Sequence, residues 1–140
     1  MKKILFVCHG NICRSPMGEF IFKHLTNHKY IVESRATSKE EIGNNIYPPV
    51  KRILNKYNIP YTSHQAKQIT IEDYNKFDII ICFDDYNYRN IELITNDNKK
   101  IKKLLEKDIE DPWYTNNYEK VYHEIYQGCL NLINIIEKDI

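Results

Sequence analysis

Two short, uninterrupted apolar runs constrain the fold of this chain more than any other sequence feature. Residues 4–7 and 79–83 are apolar throughout and rich in β-branched side chains. A strand without polar alternation is buried on both faces, which is typical of a parallel sheet covered by helices. A weaker strand is predicted at residues 30–34, and a fourth at either residues 64–69 or residues 99–105.

Helical patterns alternate with these strands. Ser15 and Pro16 are expected to begin a helix, because serine is a good N-cap and proline is tolerated in the first turn. A second helix is predicted after Pro48 and Pro49. A third is expected over about residues 118–138, with an inward face made of Val121, Ile125, Leu132, Ile135 and Ile136. Strands alternating with helices predict a doubly wound α/β fold, which binds ligands beyond the carboxyl ends of its strands.

Composition excludes several classes of protein. A chain of 140 residues is expected to form one domain, and 20 Lys and Arg against 19 Asp and Glu give no electrostatic sign of a nucleic-acid partner. No apolar run is long enough for a membrane span, and the apolar stretch near Met1 is too short for a signal peptide. The four cysteines are therefore interpreted as reduced thiols of a cytoplasmic protein. Their spacing does not suggest a metal site.

The segment from Cys8 to Pro16 joins the first strand to the first helix and carries the candidate chemistry. A lone cysteine is more often a buried structural residue, but five residues separate Cys8 from Arg14, enough to wrap backbone N–H groups around an anion. The dipole of the following helix adds positive charge, so the thiolate form of Cys8 is favoured. Arg14 offers a planar pair of donors to phosphate oxygens, Gly10 permits close approach, and Asn11 tolerates a left-handed conformation. The sequence predicts a thiolate nucleophile inside an oxyanion-binding loop.

Residues 7–16 resemble the N-terminal loop of the low-molecular-weight protein tyrosine phosphatases, V-C-x-G-N-I-C-R-S-P, at every fixed position. Three further segments resemble family motifs: residues 63–69 (S-H-x-A-R-Q-I), residues 82–87 (C-M-D-x-x-N) and residues 111–114 (D-P-[YW]-Y). Lys67 departs from the usual arginine, His9 replaces a frequent aliphatic residue, and residues 35–47, part of the family's substrate rim, match poorly. The resemblance implies one domain of residues 1–140, with a four-stranded parallel sheet flanked by helices on both faces in a flavodoxin-like, three-layer arrangement.

The same resemblance implies hydrolysis of phosphotyrosine in proteins through a phosphocysteine on Cys8. Arg14 and the loop amides would bind phosphate or a similar oxyanion, Asp111 would act as general acid and then as base, and no cofactor or metal is implied. The residues implied to bind phosphate are His9, Gly10, Asn11, Ile12, Cys13, Arg14 and Ser15. Those implied to support the loop are Asn11, Ser15, Ser34, His64 and Asp84. Those implied to wall the substrate slot are Trp113 and Tyr114.

Three other functions share parts of this pattern. Arsenate reductases of one class use the same loop but relay a disulfide through two further cysteines. The relay requires these cysteines near the end of a later strand, where Cys82 lies, but Cys129 lies in the last helical pattern. Phosphoarginine phosphatases typically have threonine where this chain has Ile12 and lack the aromatic pair after Asp-Pro. A phosphotyrosine-binding module without activity is disfavoured because the nucleophile, the arginine and the acid are all present.

Two regulatory hypotheses also follow from the sequence. Cys13 lies on the same loop as Cys8, so the two thiols are candidates for a reversible disulfide that protects the nucleophile from over-oxidation. The resemblance further implies that tyrosines near the acid loop, such as Tyr114, can be phosphorylated.

Overall fold

A four-stranded parallel sheet forms the centre of the molecule. The structure, a computed structural model, describes residues 2–138. Its strands are β1 (Lys3–Cys8), β2 (Ile31–Ala36), β3 (Ile79–Cys82) and β4 (Ile101–Lys103), in the order β2-β1-β3-β4. All neighbouring strands are parallel. The predicted doubly wound parallel sheet is therefore confirmed, with its switch in winding between β1 and β3.

The fourth strand is β4, the second of the two predicted places. Residues 64–69 do not form a strand, and a single isolated bridge joins Gln68 to Ala36 at the end of β2. This segment also contributes the N–H of Ala66, which donates to Asn44, and the C=O of the same residue, which accepts from Gly43. Its backbone groups are thus shared between partners instead of forming one continuous ladder.

The helices cover both faces of the sheet. They are α1 (Arg14–Leu25), α2 (Pro48–Lys56), α3 (Ile71–Lys76), α4 (Asp85–Thr95), α5 (Pro112–Thr115) and α6 (Tyr118–Lys138). Helices α1, α2 and α6 follow the predictions, whereas α3, α4 and α5 were not predicted, because they are short or predominantly polar. None of the helices within residues 2–138 has the length and apolar character to cross a membrane. The proposed domain of residues 1–140 includes residues 1, 139 and 140, which lie outside the described residues.

Two details of the predicted helices are wrong. Helix α1 begins at Arg14 with Cys13 at the N-cap position and no side-chain cap, so Ser15 does not cap it. In α6, Ile135 is 43% exposed, although Val121, Ile125, Leu132 and Ile136 are buried as predicted. The buried stripe also includes Tyr122 and Cys129, which moves its centre away from Ile135.

Strand β1 is buried on both sides, as its uninterrupted apolar sequence predicts. Ile4, Phe6 and Cys8 belong to the core that α1, α2 and α6 cover, and Leu5 and Val7 belong to the core on the α3 and α4 side. This alternation follows from the two-residue period of a strand. The carboxyl end of β1 therefore emerges between two packed layers of helices.

Helix α1 lies unusually close to β1 at Gly18. A Cβ atom at this position would lie 2.6 Å from Cδ1 of Phe6, whose side chain is fully buried. We expect Gly18→Ala to lower the free energy of unfolding by about 1–2 kcal/mol, because overpacking outweighs the gain in helix propensity. Urea denaturation measures this change.

The contact with Phe6 can be isolated by a double-mutant cycle. In a Phe6→Leu background the ring is absent, and Gly18→Ala should then cost clearly less than it does in the wild-type protein. An equal loss of stability in both backgrounds would contradict the assigned clash.

Candidate active site

The loop between β1 and α1 is bent around the sulfur atom of Cys8. The backbone N–H of Asn11 donates to Sγ at 3.3 Å, and that of Ser15 donates at 3.4 Å. The Ser15 hydroxyl oxygen lies 3.1 Å from the same sulfur. Three polar groups therefore surround Cys8 Sγ, and each of them can donate a hydrogen bond to a thiolate.

Asn11 holds the loop in its bent shape. Its φ angle is 61°, in the left-handed region that asparagine tolerates. Its amide nitrogen donates to the hydroxyls of Ser15 and Ser34 at 2.8 and 2.9 Å, and its Oδ1 accepts from the N–H of Lys67 at 3.1 Å. Its carbonyl oxygen lies 2.7 Å from Nε2 of His64, which must carry the proton because a carbonyl only accepts. The structure thus brings Ser15, Ser34 and His64, three of the predicted loop-supporting residues, together around Asn11.

Arg14 lies behind the loop and is only 2% exposed. Its Nη1 donates to Asp84 Oδ2 at 2.7 Å and to the carbonyl of Ile109 at 2.8 Å. Burial by itself lowers the pKa of Arg14, but the neighbouring negative groups, Cys8 first and then the carboxylates of Asp111 and Asp84, outweigh it, so this pKa is raised. The guanidinium remains charged and is held in one orientation.

Asp84 connects two elements. One of its oxygens holds Arg14, and the other accepts from the N–H of Asn87 at 2.6 Å, which makes Asp84 the N-cap of α4. Asp84, which the resemblance implies to support the loop, therefore both binds the arginine and caps a helix. Because β3 ends at Cys82, two residues before Asp84, the position of the sheet determines the orientation of Arg14.

Asp111 reaches the site from the opposite end of the chain. It is the N-cap of α5, where Oδ1 accepts from the N–H of Trp113 at 3.1 Å. Its other oxygen, Oδ2, lies 3.5 Å from Nη2 of Arg14. Pro112 is buried in the first turn of α5, so the carboxylate is held over the loop by a stiff connection.

A pocket opens above Cys8 and is lined by residues of three segments: Cys8, His9, Gly10, Ile12, Cys13, Glu40, Glu41, Asp111, Trp113 and Tyr114. Asn11, Arg14 and Ser15, predicted among the phosphate-binding residues, are buried and do not line this pocket. Tyr47 was not predicted, and its ring lies 4.7 Å from that of Trp113. The aromatic wall therefore has a supporting residue.

The divergent residues 35–47 are fastened to the loop at His9. Nε2 of His9 lies 2.9 Å from Oε2 of Glu40. The carbonyl of His9 accepts from the N–H and the hydroxyl of Ser38 at 3.1 and 2.9 Å. Glu40 and Glu41 were missed individually, because nothing in the local sequence indicates that this turn folds back over the loop.

The remaining cysteines differ in their relation to Cys8. All four cysteines are free thiols. Burial, with the nearby negative groups, raises the pKa of the Cys13 thiol, and burial raises that of Cys82 to about 12. Cys82 and Cys129 do not line the pocket, so the structure brings no second pair of cysteines to Cys8. Within residues 2–138 no group of three or more His, Cys, Asp or Glu side chains is placed to hold a metal ion.

Comparisons with known proteins agree with this geometry. A family model described as low molecular weight phosphotyrosine protein phosphatase matches residues 3–140. The low molecular weight protein-tyrosine-phosphatase PtpA of Staphylococcus aureus is 39% identical, over 99% of this chain and 96% of its own length.

Two solved structures extend the comparison. The low molecular weight protein tyrosine phosphatase SP-PTP of Streptococcus pyogenes is 43% identical with a TM-score of 0.92, covering 96% of this chain and 92% of that one. YfkJ of Bacillus subtilis is 34% identical with a TM-score of 0.95, covering 99% and 96%. The similarity thus spans the sheet, the loop and the acid segment together. This chain belongs to the low molecular weight phosphotyrosine protein phosphatase family.

Proposed function

We propose that the protein is a phosphatase that hydrolyses phosphotyrosine and small aryl phosphates through a phosphocysteine on Cys8. One observation carries this proposal: the sulfur of Cys8 lies inside a loop of inward-pointing donors, at the base of a pocket that Asp111 also lines. A sulfur atom surrounded by donors is stabilised as a thiolate nucleophile. A carboxyl group across the pocket is placed to exchange a proton with the leaving group.

In the first half of the reaction, the thiolate of Cys8 attacks phosphorus. An S–P bond forms while the P–O bond to the aryl group breaks. Asp111 donates its proton to the departing oxygen, which leaves as a neutral phenol. Arg14 and the loop amides bind the three equatorial oxygens, where negative charge accumulates in the transition state.

In the second half, water attacks the phosphocysteine. Asp111, now a carboxylate, accepts a proton from that water, an O–P bond forms, and the S–P bond breaks to release inorganic phosphate and the thiolate of Cys8. The same donors around the sulfur stabilise the thiolate as a leaving group. Inorganic phosphate and similar oxyanions are therefore expected to bind in the loop as product or inhibitor.

The pocket wall supports an aromatic substrate. Trp113 and Tyr114 line the pocket, and Tyr47 holds the ring of Trp113 in place. A phosphotyrosine ring entering this slot meets aromatic surface, which favours it over a flexible alkyl phosphate. Phosphotyrosine-containing proteins are therefore the proposed partners. We also propose a cytoplasmic location, which the free thiols support.

We expect Cys8→Ser to show no measurable turnover of p-nitrophenyl phosphate near pH 6 in EDTA and dithiothreitol, because a hydroxyl is a poor nucleophile at that pH.

Asp111→Asn should slow turnover by about 10²–10⁴-fold, since the general acid is lost. The loss should be larger for phenyl phosphate than for p-nitrophenyl phosphate, whose leaving group needs less protonation. Steady-state kinetics on both substrates test the expectation.

Asp108→Asn is the matched control for the acid. Asp108 precedes Asp111 on the same segment, pairs with Lys103 and does not line the pocket, so its variant should keep wild-type rates. Turnover by Cys8→Ser, or equal losses on the two substrates for Asp111→Asn, would contradict the assigned roles.

We expect Trp113→Ala to lower kcat/KM for a phosphotyrosine peptide by about 3–10-fold, the magnitude of one aromatic contact. Hydrolysis of a small alkyl phosphate should change much less, because such a substrate does not reach the wall. Tyr126→Ala is the control, since Tyr126 is an aromatic residue outside the pocket. A higher kcat/KM for phosphoarginine than for phosphotyrosine in the wild-type protein would identify it as a phosphoarginine phosphatase instead.

A further inference from the structure

Glu19 is a charged residue of α1 that is only 7% exposed and lies outside the substrate pocket. Its Oε1 accepts from the hydroxyl of Ser34 at 2.7 Å, and its Oε2 accepts from the ammonium group of Lys23 at 2.6 Å. A carboxylate is expensive to bury, even with partners. Neither the sequence motifs nor the proposed mechanism uses this residue, so its position requires an explanation.

Glu19 lines a polar cavity that shares no lining residue with the substrate pocket. The other charged or titratable residues that line this cavity come from β2 and from the segment before α3: Glu33, Arg35, His64 and Lys67. Arg35 is already paired with Glu33 and Asp73. The direct partners of the Glu19 carboxylate among the described residues are thus Lys23 and the hydroxyl of Ser34.

The ionised carboxylate determines the direction of a chain of hydrogen bonds. A carboxylate only accepts, so the single O–H of Ser34 points to Glu19. The oxygen of Ser34 is then available as the acceptor for the amide nitrogen of Asn11, at 2.9 Å. A hydroxyl that donates to an anion becomes a better acceptor, which strengthens this second bond.

The chain continues from Asn11 to the sulfur. The second N–H of the Asn11 amide donates to the oxygen of Ser15 at 2.8 Å. Because Ser15 accepts there, its own O–H points either to the sulfur of Cys8 at 3.1 Å or to the carbonyl of Arg35 at 3.3 Å. When the sulfur carries a negative charge, the hydroxyl donates to it.

We propose that Glu19 is a positioning residue for the reaction: it orients Ser34 and Asn11 so that the hydroxyl of Ser15 donates a hydrogen bond to the thiolate of Cys8. This inference rests on the proposed function and extends it to a residue remote from substrate. It assigns to the buried carboxylate the stabilisation of the thiolate as nucleophile and as leaving group.

Glu19→Gln reverses the critical contact without changing the size of the side chain. The ammonium group of Lys23 only donates, so it attracts the new amide oxygen and turns the NH₂ group toward Ser34. The oxygen of Ser34 then faces two donors, and its own proton loses its acceptor. Removing the ammonium group in Glu19→Gln/Lys23→Met frees the amide oxygen to accept from Ser34 again.

The test measures kcat for p-nitrophenyl phosphate and the pH dependence of Cys8 alkylation by iodoacetate, with mass spectrometry to identify the alkylated cysteine. Buried Cys13, with its raised pKa, does not compete at neutral pH. We expect Glu19→Gln to lower kcat about tenfold and to raise the pH of half-maximal alkylation by about one unit, with KM nearly unchanged. Glu19→Gln/Lys23→Met should recover most of both losses.

Glu137→Gln is the matched control, because Glu137 likewise accepts from a hydroxyl, that of Tyr30, and from a lysine, Lys29. It should leave both readouts at wild-type values. An active wild-type protein with unchanged kcat and alkylation in Glu19→Gln, or with no recovery in the double variant, overturns the inference. An inactive wild-type protein would instead overturn the proposed function.

Glu19→Asp keeps the test decisive if Glu19→Gln does not fold. Aspartate retains the charge beside Lys23 but is one methylene shorter, so its contact with Ser34 is lost or lengthened. We expect the same changes in kcat and alkylation pH as in Glu19→Gln. A folded Glu19→Asp protein, verified by its thermal unfolding, with wild-type values for both would overturn the role of the Glu19–Ser34 contact.

Discussion

The hydrogen bonds that converge on the sulfur of Cys8 are the constraint on which the rest of the structure depends. Two backbone N–H groups can point at one atom only if the chain between them turns back on itself, and Asn11 makes that turn at a φ angle of 61°. This conformation costs an L-residue about 1–2 kcal/mol. Gly10, the residue without a Cβ, is not the one that adopts it. The partners of the Asn11 side chain and carbonyl stabilise the turn.

The sheet order explains how distant segments meet at this loop. Strands β1 and β3 are neighbours, so Cys8 and Asp84 emerge at the same edge although many residues separate them. Arg14 lies in the first turn of α1, yet its side chain is held at the end of β3. The guanidinium is therefore oriented by the sheet, whereas the amides are oriented by the loop. An anion bound between them contacts two independently supported sets of donors.

Local sequence was sufficient for the features that depend on neighbouring residues, and insufficient for those that depend on long-range contacts. The apolar runs of β1 and β3, the loop motif and the Asp-Pro segment could all be identified without a structure. The prediction that Ser15 caps α1 was wrong, because a serine before proline is typical of a cap but the helix begins at Arg14. The supporting role that the resemblance implies for Ser15 agrees with its hydroxyl beside the sulfur of Cys8. The i,i+4 spacing of Glu19 and Lys23 indicates only an ordinary helix ion pair, because the contact of Glu19 with Ser34 depends on β2. Tyr47 carries no local signal, since its partner Trp113 lies on α5. The polar helix α4 was missed because its stability comes from the Asp84 cap and one buried stripe.

The contact between Arg14 and the carbonyl of Ile109 joins residues 95 positions apart in sequence. This separation affects the order in which the catalytic groups are assembled. During synthesis, β1, the loop and α1 emerge first, but the sheet edge that orients the guanidinium and the segment that brings the acid emerge only after most of the chain. The loop around the sulfur therefore lacks its oriented guanidinium and its acid until these later segments have packed against it. Catalytic competence in this fold therefore requires segments that are far apart in the sequence to pack together.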